Sequence, residues 1–146
     1  MTLLFIIAPT YAKTIVILGD SLSAAYGMPA SQGWVELLKK KLRKTGHAID
    51  VLNLSTSGDT SINSLSKLRA HYKKSSIELV VIQIGSNDAL RGLSLAQLNK
   101  NILAMIHLAK KNHSLIFLIT NRLPPNYGNK FTLLYQNLFK KIATNE

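Results

Sequence analysis

The sequence predicts an α/β fold in which helices cover both faces of a parallel β-sheet. Short apolar runs rich in β-branched residues alternate with longer segments whose apolar residues recur every three or four positions. The short runs are apolar throughout, as expected of strands that are buried on both faces. Glycine and small polar residues follow these runs, which is typical of loops that lead from a strand to a helix.

Four strands and four long helices are expected in alternation. The strands are predicted at residues 14–18, 48–54, 78–84 and 114–119. The helices are predicted from apolar stripes at helical spacing. These stripes comprise Trp34, Val35, Leu38 and Leu42; Ile62, Leu65, Leu68 and Tyr72; Leu95, Leu98, Ile102, Met105 and Ala109; and Phe131, Leu134, Tyr135, Leu138 and Ile142.

The composition is that of one globular domain. The chain has 146 residues, of which 47% are hydrophobic, and this is enough for one sizeable core. It contains no cysteine, which excludes a disulfide framework, a thiolate nucleophile and a cysteine-ligated zinc site. We expect neither a cofactor nor a bound metal.

The formal net charge of +11 is typical of proteins that bind nucleic acids or anionic membranes. However, the basic residues lie at or near predicted helix ends, where cations face water and interact favourably with the helix dipole. We therefore favour solvated helix ends, with weak attraction to anionic lipid or substrate as the alternative. No motif indicates a specific nucleic-acid partner. The clusters are Lys39, Lys40, Lys41, Arg43 and Lys44; Lys73 and Lys74; Lys110 and Lys111; and Lys140 and Lys141.

The first twelve residues have features of a secretory signal peptide. An apolar core at residues 3–8 leads to Thr10 and Ala12, small residues at the positions that signal peptidase inspects. No Lys or Arg precedes this core, and the run is too short to be a transmembrane helix. We expect residues 1–12 to direct the chain to the periplasm or the exterior, leaving a domain at residues 13–146. The alternative is a short buried segment that leads into the first strand.

Functional loops in parallel sheets follow the carboxyl ends of the strands. The first such loop contains Ser21, whose hydroxyl can be presented as a nucleophile at a strand-to-helix turn. The next contains Gly58, which allows a backbone N–H to approach a ligand closely. The third contains Asn87, whose amide can donate to an oxyanion. The alternatives are helix capping by Asp20 or Ser21 and by Asp59 and Thr60, and an Asx-turn at Asn87. Together at one sheet edge, however, the three loops outline an acyl-transfer site.

Extended motifs surround these residues. Residues 19–23 read GDSLS, residues 57–61 read SGDTS and residues 85–88 read GSND. These motifs resemble the first three sequence blocks of the SGNH hydrolases, or GDSL-type hydrolases. Longer stretches at residues 20–26, 87–92 and 122–128 resemble the bacterial secreted acyl-CoA thioesterase I, lysophospholipase and arylesterase group. The resemblance covers nearly the whole chain from Lys13.

The resemblance implies a flavodoxin-like three-layer αβα sandwich with strand order 2-1-3-4-5. It implies that Ser21 forms an acyl-enzyme with a small-molecule acyl ester or thioester. The backbone N–H groups of Ser21 and Gly58 and the side chain of Asn87 would form the oxyanion hole. Residues 89–93 would cover the substrate. The implied substrate-binding residues are Asp20, Leu22, Ala89, Leu90, Arg91, Pro124 and Tyr127.

The general base of this family is a His three residues after an Asp, beyond a fifth strand, and the chain contains no Asp-x-x-His. The resemblance therefore implies a domain that is missing its last strand and helix. His47 and His113 precede strands, and His71 and His107 lie in predicted helices, so none is expected near Ser21. Two functions follow as expectations: an ester or thioester hydrolase, or an inactive remnant that still binds acyl groups.

Overall fold

The computed structural model describes residues 13–146, so the expected signal peptide at residues 1–12 lies outside the described residues. The described part contains four strands, five α-helices and two short 3-10 segments. None of its helices has the length and apolar character that crossing a membrane requires. The elements are β1 (Lys13–Gly19), α1 (Trp34–Lys44), β2 (Ile49–Asn53), α2 (Ser61–Tyr72), β3 (Leu79–Gln83), α3 (Ser86–Leu90), α4 (Leu95–Lys111), β4 (Leu115–Leu118) and α5 (Asn129–Asn145), with 3-10 segments at Ala30–Gln32 and Pro125–Tyr127.

The strands form a parallel sheet in the order β2-β1-β3-β4, which confirms the predicted arrangement of these strands. Because the strands are parallel, the loops that follow them meet at one edge, called here the carboxyl edge. The long helices return in the opposite direction, so their last turns lie at the other edge, called here the amino edge. This separation places functional loops and helix ends at opposite ends of the molecule.

Helices cover both faces of the sheet. On one face, α1 contributes Val35, which packs with Ile17, Val51 and Val81. On the other face, α2, α4 and α5 pack over the alternate strand residues in a larger core that includes Val16. Since successive strand residues point to opposite faces, the uniformly apolar β1 supplies both cores. The αβα layering predicted from the sequence is therefore confirmed.

Two helical stripes differ from the prediction. Ile62 is exposed, whereas Ser61 and Ser64 of the same helix are buried. In α5, Leu134 is exposed and Phe139 is buried instead. The reason in α2 is that Ser61 makes buried hydrogen bonds to neighbouring elements, as described below, which turns the serine face inward and leaves Ile62 at the surface.

Strand β4 is the edge of the sheet and is only partly covered. Leu115 and Phe117 point to one face and remain 65% and 58% exposed. Ile116 and Leu118 point to the other face and pack against the larger core. The described part of the chain therefore has an apolar sheet edge that is uncovered on one face.

Candidate active site

The turn after β1 is held from both sides. A side chain at Gly19 would bring its Cβ within 2.6 Å of Ser23 and 2.9 Å of Gln83 Oε1, so only glycine fits at the end of the strand. Asp20 is buried, and its Oδ1 accepts hydrogen bonds from the Leu22 N–H at 3.1 Å and Gln83 Nε2 at 3.2 Å. These contacts fix the backbone on both sides of Ser21.

The two serines of this turn have different environments. Ser23 is buried; its hydroxyl donates to Gln83 Oε1 at 2.6 Å and accepts from Trp34 Nε1 at 3.2 Å. Ser21 is partly exposed, and no side chain among residues 13–146 hydrogen-bonds its hydroxyl. The Ser21 side chain is thus partly open to solvent, whereas the Ser23 hydroxyl is held by two hydrogen bonds inside the turn.

The second loop carries Gly58 in a backbone conformation that favours glycine, with φ +85°. Lys67 holds this loop at several points. Its Nζ donates to the Leu54 carbonyl at 2.9 Å and to Thr56 Oγ1 at 2.7 Å. It also forms an ion pair with Asp59. The loop is joined to the first one as well. Asn53 Nδ2, at the end of β2, donates to the Ser23 carbonyl at 2.8 Å.

The third loop is bonded directly to the second. Asn87 Nδ2 donates to the Asp59 carbonyl at 3.0 Å, and Arg91 Nη2 donates to the Gly58 carbonyl at 2.9 Å. An asparagine amide has two hydrogens, so one remains to bind an oxyanion. Residues 86–90, which were expected to be loop, form the short helix α3, which presents Asn87 from its first turn.

A buried polar network fixes α3 against the beginning of α2. Asp88 is buried, and its carboxylate accepts hydrogen bonds from the Ser61 N–H at 2.8 Å and the Ser61 hydroxyl at 2.6 Å. Asn101 of α4 then donates to the same hydroxyl at 2.8 Å. Sequence reasoning missed this network. Its signal was the polar Asn101 on the apolar stripe of α4, three residues after Leu98.

The fourth loop is attached through Asn121, whose Nδ2 donates to the Ser86 hydroxyl at 2.9 Å. Tyr135 of α5 is buried beneath this loop. Burial is the main cause that raises the pKa of Tyr135 to about 12; the Ser86 hydroxyl opposes the shift, and the charges of Asp20 and Asp88 add to it. Tyr135 is therefore a neutral phenol beneath the site at neutral pH.

The predicted substrate-binding residues divide into two groups. Asp20 and Ala89 are buried, so their side chains are turned away from the surface. For Ala89 the reason is α3, which packs this residue against the core. The others are exposed at the carboxyl edge; they are Leu22, Leu90, Arg91, Pro124 and Tyr127.

The histidines lie away from this edge. His47 and His113 lie two residues before β2 and β4 and are therefore at the amino edge, a strand length of roughly 16 Å from the site loops. His71 bonds Ser75 at the end of α2, and His107 bonds Glu146. Within the described residues, no group of three His, Asp or Glu side chains could hold a metal ion.

The sequence matches a known family over almost its whole length. Residues 17–145 match the GDSL-like Lipase/Acylhydrolase family. The chain is 41% identical over 135 residues to Esterase TesA of Pseudomonas aeruginosa, a match that covers 92% of this chain and 67% of that protein. It is 35% identical over 144 residues to Thioesterase 1/protease 1/lysophospholipase L1 of Escherichia coli, covering 96% of this chain and 68% of that protein.

The fold is also shared with solved structures. Esterase EstA from Pseudoalteromonas, inhibited by monoethylphosphonate, superposes with a TM-score of 0.85 at 34% identity, over 91% of this chain and 73% of that chain. The matched relatives therefore contain further residues beyond the part that this chain matches.

Proposed function

Because the chain belongs to the GDSL-like lipase/acylhydrolase family, we propose that it cleaves carboxylic esters or thioesters through an acyl-enzyme on Ser21. The observation that carries this proposal is the bonding of the loops after β1, β2 and β3 to one another around a free serine hydroxyl. The Asn53, Asn87 and Arg91 hydrogen bonds make these connections.

Each loop has one role in the proposed reaction. Ser21 Oγ attacks the acyl carbon, and the carbonyl oxygen becomes an oxyanion. The oxyanion accepts hydrogen bonds from the backbone N–H groups of Ser21 and Gly58 and from Asn87 Nδ2, donors that act on charge developing in the transition state. The intermediate collapses to the acyl-enzyme as the alcohol or thiol leaves with a proton. Water then attacks the acyl group and releases the acid and Ser21.

The relatives support small acyl compounds as substrates, because their names include esterase, thioesterase and lysophospholipase. We propose that residues 1–12 are a signal peptide and that the enzyme acts in the periplasm or outside the cell. Pro124 and Tyr127 of the fourth loop, with Leu22, Leu90 and Arg91, would contact the substrate.

The proposed reaction needs a general base, since serine is a weak nucleophile until a base takes its proton. The four histidines lie away from Ser21, so we propose that an additional segment supplies the base and pairs with the open edge of β4. The position of the four histidines away from Ser21 also favours a second candidate function, in which the chain binds acyl groups without turnover.

Two forms of the chain distinguish these functions. One is the 146-residue chain, and the other continues it with the residues that follow the matched region in a relative. We expect the continued chain to hydrolyse p-nitrophenyl acyl esters, and Ser21→Ala to abolish this turnover. We expect the shorter chain to show only a rate that Ser21→Ala does not change.

A fluorophosphonate label adds a test of the nucleophile. In the continued chain the adduct should lie on Ser21, and Ser23→Ala serves as the control because that hydroxyl is buried. An adduct on Ser23, Ser57 or Ser86 would overturn the assignment. Robust turnover by the shorter chain that depends on Ser21 would instead show that one of the four histidines, or a partner, supplies the base.

A further inference from the structure

Large apolar side chains are exposed around Ser21. They come from the segments that follow β1, β2 and β3, so they share the carboxyl edge with Ser21. Exposed apolar residues gathered in this way mark interaction surfaces, whereas isolated ones are ordinary. This apolar rim consists of Leu22, Tyr26, Met28, Ile62, Leu90 and Leu93, which are between 42% and 75% exposed.

The charges near the rim are arranged differently from those elsewhere. Asp20, Asp59 and Asp88 are all buried and bonded, so they present little negative charge at the surface. Arg91 is exposed beside the rim and is bonded to the Gly58 carbonyl. Most of the other cations belong to the amino edge, including Lys73, Lys74, Lys110 and Lys111 at the ends of α2 and α4. Arg122 and Lys130 are also exposed at the carboxyl edge, so cations are more numerous at the amino edge but are not confined to it.

The rim opens onto a cavity of about 140 Å³ beside Ser21, lined also by Leu22, Ala25, Tyr26 and Met28. The first and third loops both carry exposed apolar side chains, while polar groups of the same loops are bonded within the site. A lipid–water interface suits this arrangement, because apolar side chains enter the acyl layer while polar groups remain at headgroup level. Tyr26, the most exposed member, has the amphipathic ring that favours such interfaces.

We propose that the apolar rim docks the carboxyl edge on a phospholipid surface. If Ser21 is the nucleophile, as proposed above, single-chain amphiphiles can then pass from that surface into the cavity without crossing water. Apolar contact drives the docking, so neutral zwitterionic surfaces suffice and salt has little effect.

The test measures partition of the 146-residue chain onto phosphatidylcholine vesicles by flotation, which separates vesicle-bound chain from self-associated chain, in salt of about 0.15 M and about 1 M, where charge screening differs severalfold. The variant Tyr26→Asp with Leu93→Asp removes two rim contacts. The control, Leu37→Asp with Leu134→Asp, changes two leucines that are 53% and 52% exposed on α1 and α5, outside both the rim and β4. We expect the rim variant to lower the partition coefficient by about tenfold or more, and the control to change it little.

Other outcomes would overturn the proposal. Equal losses in the rim variant and the control would show non-specific apolar adsorption. Binding only to vesicles that contain phosphatidylglycerol, lost at high salt, would assign the interaction to the exposed cations instead of the apolar rim. A dimer that the rim variant dissociates would identify a second copy as the occupant. Circular dichroism checks that every variant is folded.

The proposed function can fail separately from this inference. Absence of fluorophosphonate labelling on Ser21 in the continued chain, together with rim-dependent vesicle binding, would reject the enzyme and keep the docking surface. Labelling of Ser21 without vesicle binding would keep the enzyme and reject the docking surface. The single tryptophan gives a second readout, because Trp34 bonds Ser23 next to the cavity. Its emission should change on docking in the unaltered chain and not in the rim variant.

Discussion

Gly85 should be among the least replaceable residues of the candidate site. Its φ is +120°, a conformation that side chains rarely adopt, and an added Cβ would lie 3.1 Å from Phe139 Cζ and 3.2 Å from both methyl groups of Leu98. Backbone strain contributes about 1–3 kcal/mol, and overpacking a filled core adds about 1–3 kcal/mol. We therefore expect Gly85→Ala to lower the free energy of unfolding by about 2–6 kcal/mol.

A second glycine separates these two causes. Gly46 also has a positive φ, +74°, but nothing lies within 4 Å of its added Cβ. Gly46→Ala should therefore lower the free energy of unfolding by only about 1–2 kcal/mol, from strain alone. Urea unfolding followed by the emission of Trp34, at low protein concentration, measures both variants. Equal effects of the two substitutions would refute the packing of Gly85 against Phe139 and Leu98.

Two further predictions concern the oxyanion hole and the open edge. In the continued chain, Asn87→Ala should lower kcat by about 10²–10³-fold with little change in KM, because this donor acts on charge that develops in the transition state. Hydrolysis of a p-nitrophenyl ester measures both constants. Unchanged turnover would show that the site is assigned wrongly. The 146-residue chain should self-associate through β4, since an uncharged apolar edge is a template for intermolecular pairing. Phe117→Lys should reduce this association in sedimentation velocity, and Leu37→Lys, equally exposed on α1, should not; a monomeric unaltered chain would contradict the prediction.

The sheet and the site loops were predictable because burial leaves a direct trace in the sequence. A strand covered on both faces is apolar at every position, as in Val16, Ile17 and Leu18, and such runs are easily found. The order of loops after the strands then assigns Ser21, Gly58 and Asn87 to one edge. The polar contacts that join these loops were not predictable, because they depend on distances between residues far apart in the chain.

The α2 helix shows why these polar contacts could not be predicted from the sequence. Periodicity placed Ile62 inside, since a hydrophobic stripe is defined by residue type alone. In the structure Ser61 is inside, because its partners Asp88 and Asn101, 27 and 40 residues away, satisfy its hydrogen bonds there. A buried polar group costs free energy unless it is bonded. A serine with partners can therefore displace an isoleucine from the interior, and residue type alone does not reveal those partners.

The same network explains how the loops can hold a reactive geometry. Gly58 has the backbone freedom of glycine, so its N–H group could change position. A developing oxyanion is stabilised best by preorganised donors, and a flexible donor would lose much of its effect. Asp88 directly follows Asn87 and bonds Ser61, which lies two residues after Asp59. This contact joins α3 to the first turn of α2 and reinforces the Asn87–Asp59 hydrogen bond. Leaving this carboxylate buried without Ser61 would be costly, so alternative arrangements of the two loops are disfavoured. The polar interior of α2 thus stabilises one relative position of Gly58 and Asn87, and a more apolar helix would lack that constraint.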